Sequence, residues 1–142
     1  MKETILMYNI SRQPVLDLYQ SICQEHNIEL KLVPAEEYTV PVGFLAYGTR
    51  EQKAPYINGT KKASVENAEI SEAGRNPFDE PMMVFGGFTG PRLNQILKVF
   101  RESGLAGIPL KAMLTEYNAV WDSMTLYGQL SEERAAFARM KE

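Results

Sequence analysis

Histidine and cysteine are almost missing from these 142 residues, which hold one of each, His26 and Cys23. A single cysteine excludes an intramolecular disulfide and a zinc site built from thiolates. A single histidine excludes a multi-histidine metal site, so no metal ligand and no cofactor is assigned. Positive charge is not in excess either. The formal net charge of −3 leaves no electrostatic footprint for nucleic acid, whose binding draws on Lys and Arg displacing counterions. The apolar runs fall short of the ~18–20 residues that a membrane span needs. The opening MKETILMYNI is too polar at its ends for a secretory signal. These absences together predict a cytoplasmic protein that binds neither membrane nor nucleic acid.

What is present is ordinary for a globular chain: 44% hydrophobic and 23% charged residues, at the length of one domain, 1–142. Thr4–Ile10 (TILMYNI) is an apolar run of strand length. Ser11 and Pro14 then suit a helix start, and Val15, Leu18, Tyr19 and Ile22 recur at helical spacing up to His26, before Asn27 as a stop. Ile28–Val33 returns to a strand that Pro34 ends, and Glu36–Tyr47 reads as a short helix weakened by Pro41 and Gly43.

The same grammar recurs. Met82–Phe88 is a strand, and Thr89, Gly90 and Pro91 open a helix with Leu93, Ile96, Leu97 and Phe100 on one face and Gly104 as its stop. Ile108–Leu114 is again a strand, and Thr115–Leu126 a helix capped by Thr115 and ended near Gly128. Superposed, Pro14 meets Pro91, Leu16 meets Leu93, and Glu25 meets Glu102. Past a small insertion, Leu30, Lys31, Glu36, Val40, Tyr47 and Gly48 meet Leu110, Lys111, Glu116, Val120, Tyr127 and Gly128. The pattern predicts an internal repeat, βαβα at 4–48 and again at 81–128. The fold class expected is α/β, one four-stranded sheet shared by both copies, with a ferredoxin-like α+β sandwich as the alternative. In that alternative, strands one and three pair antiparallel at the centre.

Residues 49–80 are a long connecting segment with scattered anchors (Tyr56, Ile57, Val65, Ile70, Phe78), in which Ser64–Ala73 could wind a helical turn or two and Asn58-Gly59-Thr60 reads as a turn. Residues 129–142 hold a charged helix, Ser131–Lys141, capped by Ser131.

The run LKAMLTEYNAVW, Leu110–Trp121, preceded by MVFGGF and a helix ending in FRESG, resembles a family of small uncharacterised bacterial proteins that is catalogued as a domain of unknown function. Leu110, Lys111, Ala112, Leu114, Thr115, Asn118 and Trp121 match its LKAxLTxxNxxW pattern, and Val33–Tyr38 (VPAEEY) looks like the longer members. The resemblance extends over two-thirds of the chain, sparing the middle segment. It implies no activity.

Cys23 and His26 lie three apart on one helix, the spacing of a nucleophile pair, but Cys23 falls where the second copy has Phe100, which reads as a core position. Gly86-Gly87-Phe88-Thr89-Gly90 joins a strand to a helix start, where backbone N–H groups attract anions, and Arg92 follows. The first copy keeps a hydroxyl and an arginine there, Ser11 and Arg12, so the two loops could frame one small anionic ligand. Thr115 and Asn118 would share that rim if all four strands ran parallel, although capping roles explain both as well. Glu36 and Glu116 read as solvated carboxylates. No residue is assigned a catalytic role. Arg12, Gly86, Gly87, Thr89, Arg92, Thr115 and Asn118 are the candidate ligand-binding set. The function expected is a non-enzymatic regulatory or interaction module that self-associates into a homo-oligomer, with anion binding as the second reading and an enzyme as the third.

Overall fold

The apolar runs TILMY and MMVFG become β1 (Thr4–Tyr8) and β3 (Met82–Gly86), which pair antiparallel at the centre of a four-stranded sheet. This is a computed structural model, and it describes residues 1–68 and 76–140. Two compact units divide the chain, each from two stretches: Met1–Leu32 with Glu80–Met113, and Val33–Asp79 with Leu114–Glu142.

The first unit contains the sheet and two helices. After β1 come α1 (Gln13–Glu25) and β2 (Glu29–Leu32); after β3 come α4 (Gly90–Glu102) and β4 (Leu110–Met113). Within each βαβ the strands are parallel, and the order across the sheet is β2-β1-β3-β4. The α/β layout with one shared sheet is as expected. The antiparallel β1–β3 contact is the feature reserved for the ferredoxin-like alternative, and it removes the case of four parallel strands.

Both central strands are apolar without alternation because both of their faces are covered. Ile5, Met7, Met83 and Phe85 join the helices' core, Leu6, Tyr8, Met82 and Val84 point the other way, and all eight are at most 1% exposed. Above the first face pack Leu16, Tyr19, Ile22 and Cys23 of α1 with Ile96 and Phe100 of α4; the Tyr19 and Phe100 rings meet edge to face at 4.9 Å.

The two βαβ halves are laid out alike. Both helices run 13 residues with a proline in the first turn. A left-handed residue follows each central strand, Asn9 (φ 61°) and Gly87 (φ 80°), and another follows each helix, Asn27 (φ 60°) and Gly104 (φ 87°). Asparagine and glycine are the residue types that tolerate this conformation. In the central pair Thr4 lies opposite Gly86, Leu6 opposite Val84 and Tyr8 opposite Met82, a register symmetric about the Leu6–Val84 pair. The edge strands correct the residue correspondence read from the sequence. Thr4 pairs with Glu29 and its counterpart Met82 with Leu110, so Leu30, not Lys31, matches Lys111. A slip of one residue reverses the face of a strand side chain.

The second unit corrects three expected elements. The helix expected over Glu36–Tyr47 is a 3₁₀ turn, Ala35–Glu37, followed by α2 (Val42–Tyr47) with Pro41 as its N-cap. Proline lacks the N–H that a continuous helix would need and disfavours helix in the residue before it. The connecting segment opens with α3 (Arg50–Ile57), held by a capping box in which Thr49 and Gln52 each bond the other's backbone N–H. Thr115–Leu126 is likewise split. A 3₁₀ turn, Asn118–Val120, ends at Trp121, and α5 (Ser123–Met140) runs on unbroken through Gly128 and Ser131. Gly128 and Leu126 are buried, and packing offsets the ~1 kcal/mol that an interior glycine costs. Ser131 is therefore not a cap: its hydroxyl oxygen is buried inside α5 without a hydrogen-bond partner among the described residues. Val65–Ala68 forms one turn, and Asn58-Gly59-Thr60 is a turn closed on the Asn58 side chain. Residues 69–73 of Ser64–Ala73, and Lys141, lie outside the described residues.

Candidate functional site

The five candidate residues of the first unit, Arg12, Gly86, Gly87, Thr89 and Arg92, do not form one site. Arg12 is the exposed N-cap of α1, four residues past Tyr8, and Tyr8 pairs with the first residue of β3. Gly86 is the last residue of β3 and pairs with the first of β1. Antiparallel pairing thus sends the two strand-to-helix loops to opposite rims of the sheet, and Arg12 cannot share a ligand with Gly87, Thr89 and Arg92. Ser11 does not cap α1 either, because its N-cap Arg12 makes no side-chain cap bond.

Around β3 the sequence does bring Gly86, Gly87, Thr89 and Arg92 together, but their groups are used within the fold. Gly87 supplies the left-handed turn, and the Thr89 hydroxyl accepts the Arg92 backbone N–H as the α4 cap. The Arg92 guanidinium donates from Nε to both Glu3 carboxylate oxygens at 3.0 Å, from Nη1 to Gln95 Oε1 at 3.0 Å, and from Nη2 to the His26 carbonyl at 2.8 Å. That carbonyl belongs to the C-cap of α1, where a cation is favoured by the helix dipole and the free carbonyls. Arg92 is a strut joining α4, the start of β1 and the end of α1.

Thr115 and Asn118 sit in the second unit and close one turn on each other. The Thr115 N–H donates to Asn118 Oδ1 at 2.8 Å, and the Asn118 N–H to Thr115 Oγ1 at 3.2 Å. Trp121 follows, buried, with its indole N–H donating to the Glu66 carbonyl at 2.6 Å.

Cys23 is 1% exposed inside the first unit's core, and burial pushes its thiol up from 9.0 to about 11. Burial, with the neighbouring Cys23 as a lesser cause, also raises the Tyr19 hydroxyl. Nucleophilic catalysis needs the thiolate, which this setting disfavours. Native protein is therefore expected to resist a thiol reagent near neutral pH and to label only when denatured; rapid stoichiometric labelling of the native state is the contrary result. The linkage sign is definite. Folded Cys23 keeps its proton up to about 11, while the unfolded thiol loses it from 9.0, so stability is lost as pH rises through that window.

Two clefts accompany these residues. One, of about 310 Å³, runs beside β2 and is lined by Gln20, Gln24, Asn27, Ile28 and Leu30 among others. The other, of about 490 Å³, lies in the second unit by α3, where Arg50 and Ile57 flank Lys53, itself paired with Glu37 at 3.1 Å. Among the described residues no group of three or more His, Cys, Asp or Glu is placed to hold a metal ion, and no helix is long and apolar enough to cross a membrane.

Several structural residues escaped the sequence reading. Glu3 and Gln95 carry no local signal of their roles as Arg92 partners. A stack of Tyr38, Phe78 and Tyr127 joins three distant stretches of the second unit. The alternation of Glu29, Leu30, Lys31 and Leu32 on an edge strand was legible as opposite charges two apart on one face.

No curated protein and no solved structure matches the chain. The match to a family lies in the C-terminal part, from just before β3 to within α5, and does not reach the VPAEEY stretch where resemblance was also expected. Its description attaches no activity. Residues 81–137 match the family model described as "Domain of unknown function (DUF3783)".

Proposed function

We propose that this chain is a non-enzymatic interaction module that works by associating with itself. The observation carrying this reading is the place of β2 at one edge of the sheet that the described residues form. That strand has Glu29 46% and Lys31 34% exposed in their side chains and Leu32 49% exposed overall. An edge strand carries outward backbone donors and acceptors that a further strand can pair. The second reading, anion binding between the paired loops, has lost its support, since Arg12 is remote from Arg92 and Arg92 holds three protein partners. Against catalysis stand the burial of the lone cysteine and its raised pKa.

We also read the two βαβ halves as a duplication. Equal helix lengths, the four matched left-handed positions and the symmetric central register support it. Sedimentation velocity from low micromolar to near millimolar chain tests self-association: a rise from monomer to dimer is expected, and a monomer at every concentration refutes the reading.

A further inference from the structure

We propose that two copies join through β2, antiparallel about a two-fold axis at Leu30, so that Glu29 of each copy faces Lys31 of the other. This rests on the self-association reading above and adds the surface and its register.

The backbone is set for that pairing. The Glu29 N–H bonds the Glu3 carbonyl at 3.0 Å, so Glu29 turns its main chain inward to β1. In a strand the next residue turns its N–H and C=O the other way. Leu30 therefore turns both groups to the side of β2 away from β1. Two Leu30 residues can exchange both bonds, which makes them a hydrogen-bonded pair on the axis of an antiparallel ladder. The flanking pairs are then non-hydrogen-bonded, the type in which opposing side chains stand closest.

Charge selects this register. With Leu30 on the axis, Glu29 lies directly opposite Lys31 of the second copy and Lys31 opposite its Glu29. Two attractive pairs form on one face, and cross-strand charge pairs of opposite sign stabilise a sheet. On the other face Leu30 meets Leu30, and Leu32, 49% exposed, is brought opposite Ile28 of the second copy beside the cleft that Ile28 and Leu30 line. The opposite edge lacks this property. β4 reads Leu110-Lys111-Ala112-Met113, with a lysine and no acid, so no antiparallel pairing of β4 with itself sets an acid against Lys111. Pairing β2 with β2 also closes on itself, whereas pairing β2 with β4 would propagate into an open array.

Glu29→Lys and Lys31→Glu variants of the whole chain, each alone and mixed in equal amounts, test the proposal by sedimentation velocity, with circular dichroism to show that each variant is folded. Each single variant sets two like-charged pairs across the axis, and its dimerisation is expected to weaken about tenfold relative to the natural sequence. In the equal mixture one chain carries only basic side chains at positions 29 and 31 and the other only acidic ones. Both cross-strand pairs are then attractive again, and dimerisation is expected to recover. The pair within one chain, Lys31 to Glu29 at 3.9 Å, is broken in both variants, so recovery can come only from contact between chains. Single variants that dimerise as well as the natural chain, or a mixture no better than its components, overturn this pairing while leaving self-association standing. A natural chain that never dimerises overturns both.

Discussion

Replacing Phe78 with alanine is expected to destabilise the second unit by about 3–4 kcal/mol. The ring is 9% exposed and lies between two others: Tyr38 at 4.8 Å and 17°, and Tyr127 at 4.2 Å and 3°. It fills the space between the end of the first 3₁₀ turn and α5. Tyr38 itself is tied to the start of α5, because its carbonyl accepts the Ser123 N–H at 3.1 Å. Removing Phe78 opens a cavity that two large rings cannot close by small shifts, and it loses both stacking contacts. Phe78→Leu keeps most of the volume and is expected to cost about 1–1.5 kcal/mol. Urea midpoints of the two variants measure both effects. A Phe78→Ala midpoint close to that of the natural chain would show that the stack contributes nothing to the fold.

Arg92→Ala is expected to cost about 2 kcal/mol in the first unit, since it leaves the Glu3 carboxylate and the His26 carbonyl without their charged donor. Arg92→Lys should recover little of this, because one ammonium cannot reach Glu3, Gln95 and the α1 C-cap as a planar guanidinium does. The ion pair is one-quarter exposed on each side, so a double-mutant cycle with Glu3→Ala should give a coupling of about 1 kcal/mol rather than the value of a buried pair. The same measurement in added phosphate separates the strut from an anion site. A strut predicts equal loss with and without phosphate. A midpoint that phosphate raises in the natural chain but not in Arg92→Ala would return Arg92 to ligand binding.

The strands and the two long helices of the first unit were legible because physics leaves them few alternatives. A strand covered on both faces reads as an unbroken apolar run, and α1 and α4 each bury one face beneath a proline start and a left-handed stop. Strand direction was not legible: the register of β1 on β3 depends on a contact between residues far apart in the chain, and with it went the shared rim for Arg12 and Arg92. In the second unit α3 has no apolar face to reveal it and contains Pro55; only the Thr49–Gln52 spacing announces it. Gly128 and Ser131 carry local signals that argue for two helices, and burial around Gly128 overrides them. The Lys31–Lys111 match was a coincidence of letters that ladder pairing corrects by one position.

Neither unit is contiguous along the chain, and this orders events during synthesis. β1 emerges from the ribosome well before its antiparallel partner β3, with the whole of residues 33–79 made in between. Until β3 follows, the side of β1 that it covers has no strand to pair with, the kind of edge that favours aggregation during folding. The central seam is a contact of long sequence separation, the kind whose loop-closure entropy slows folding.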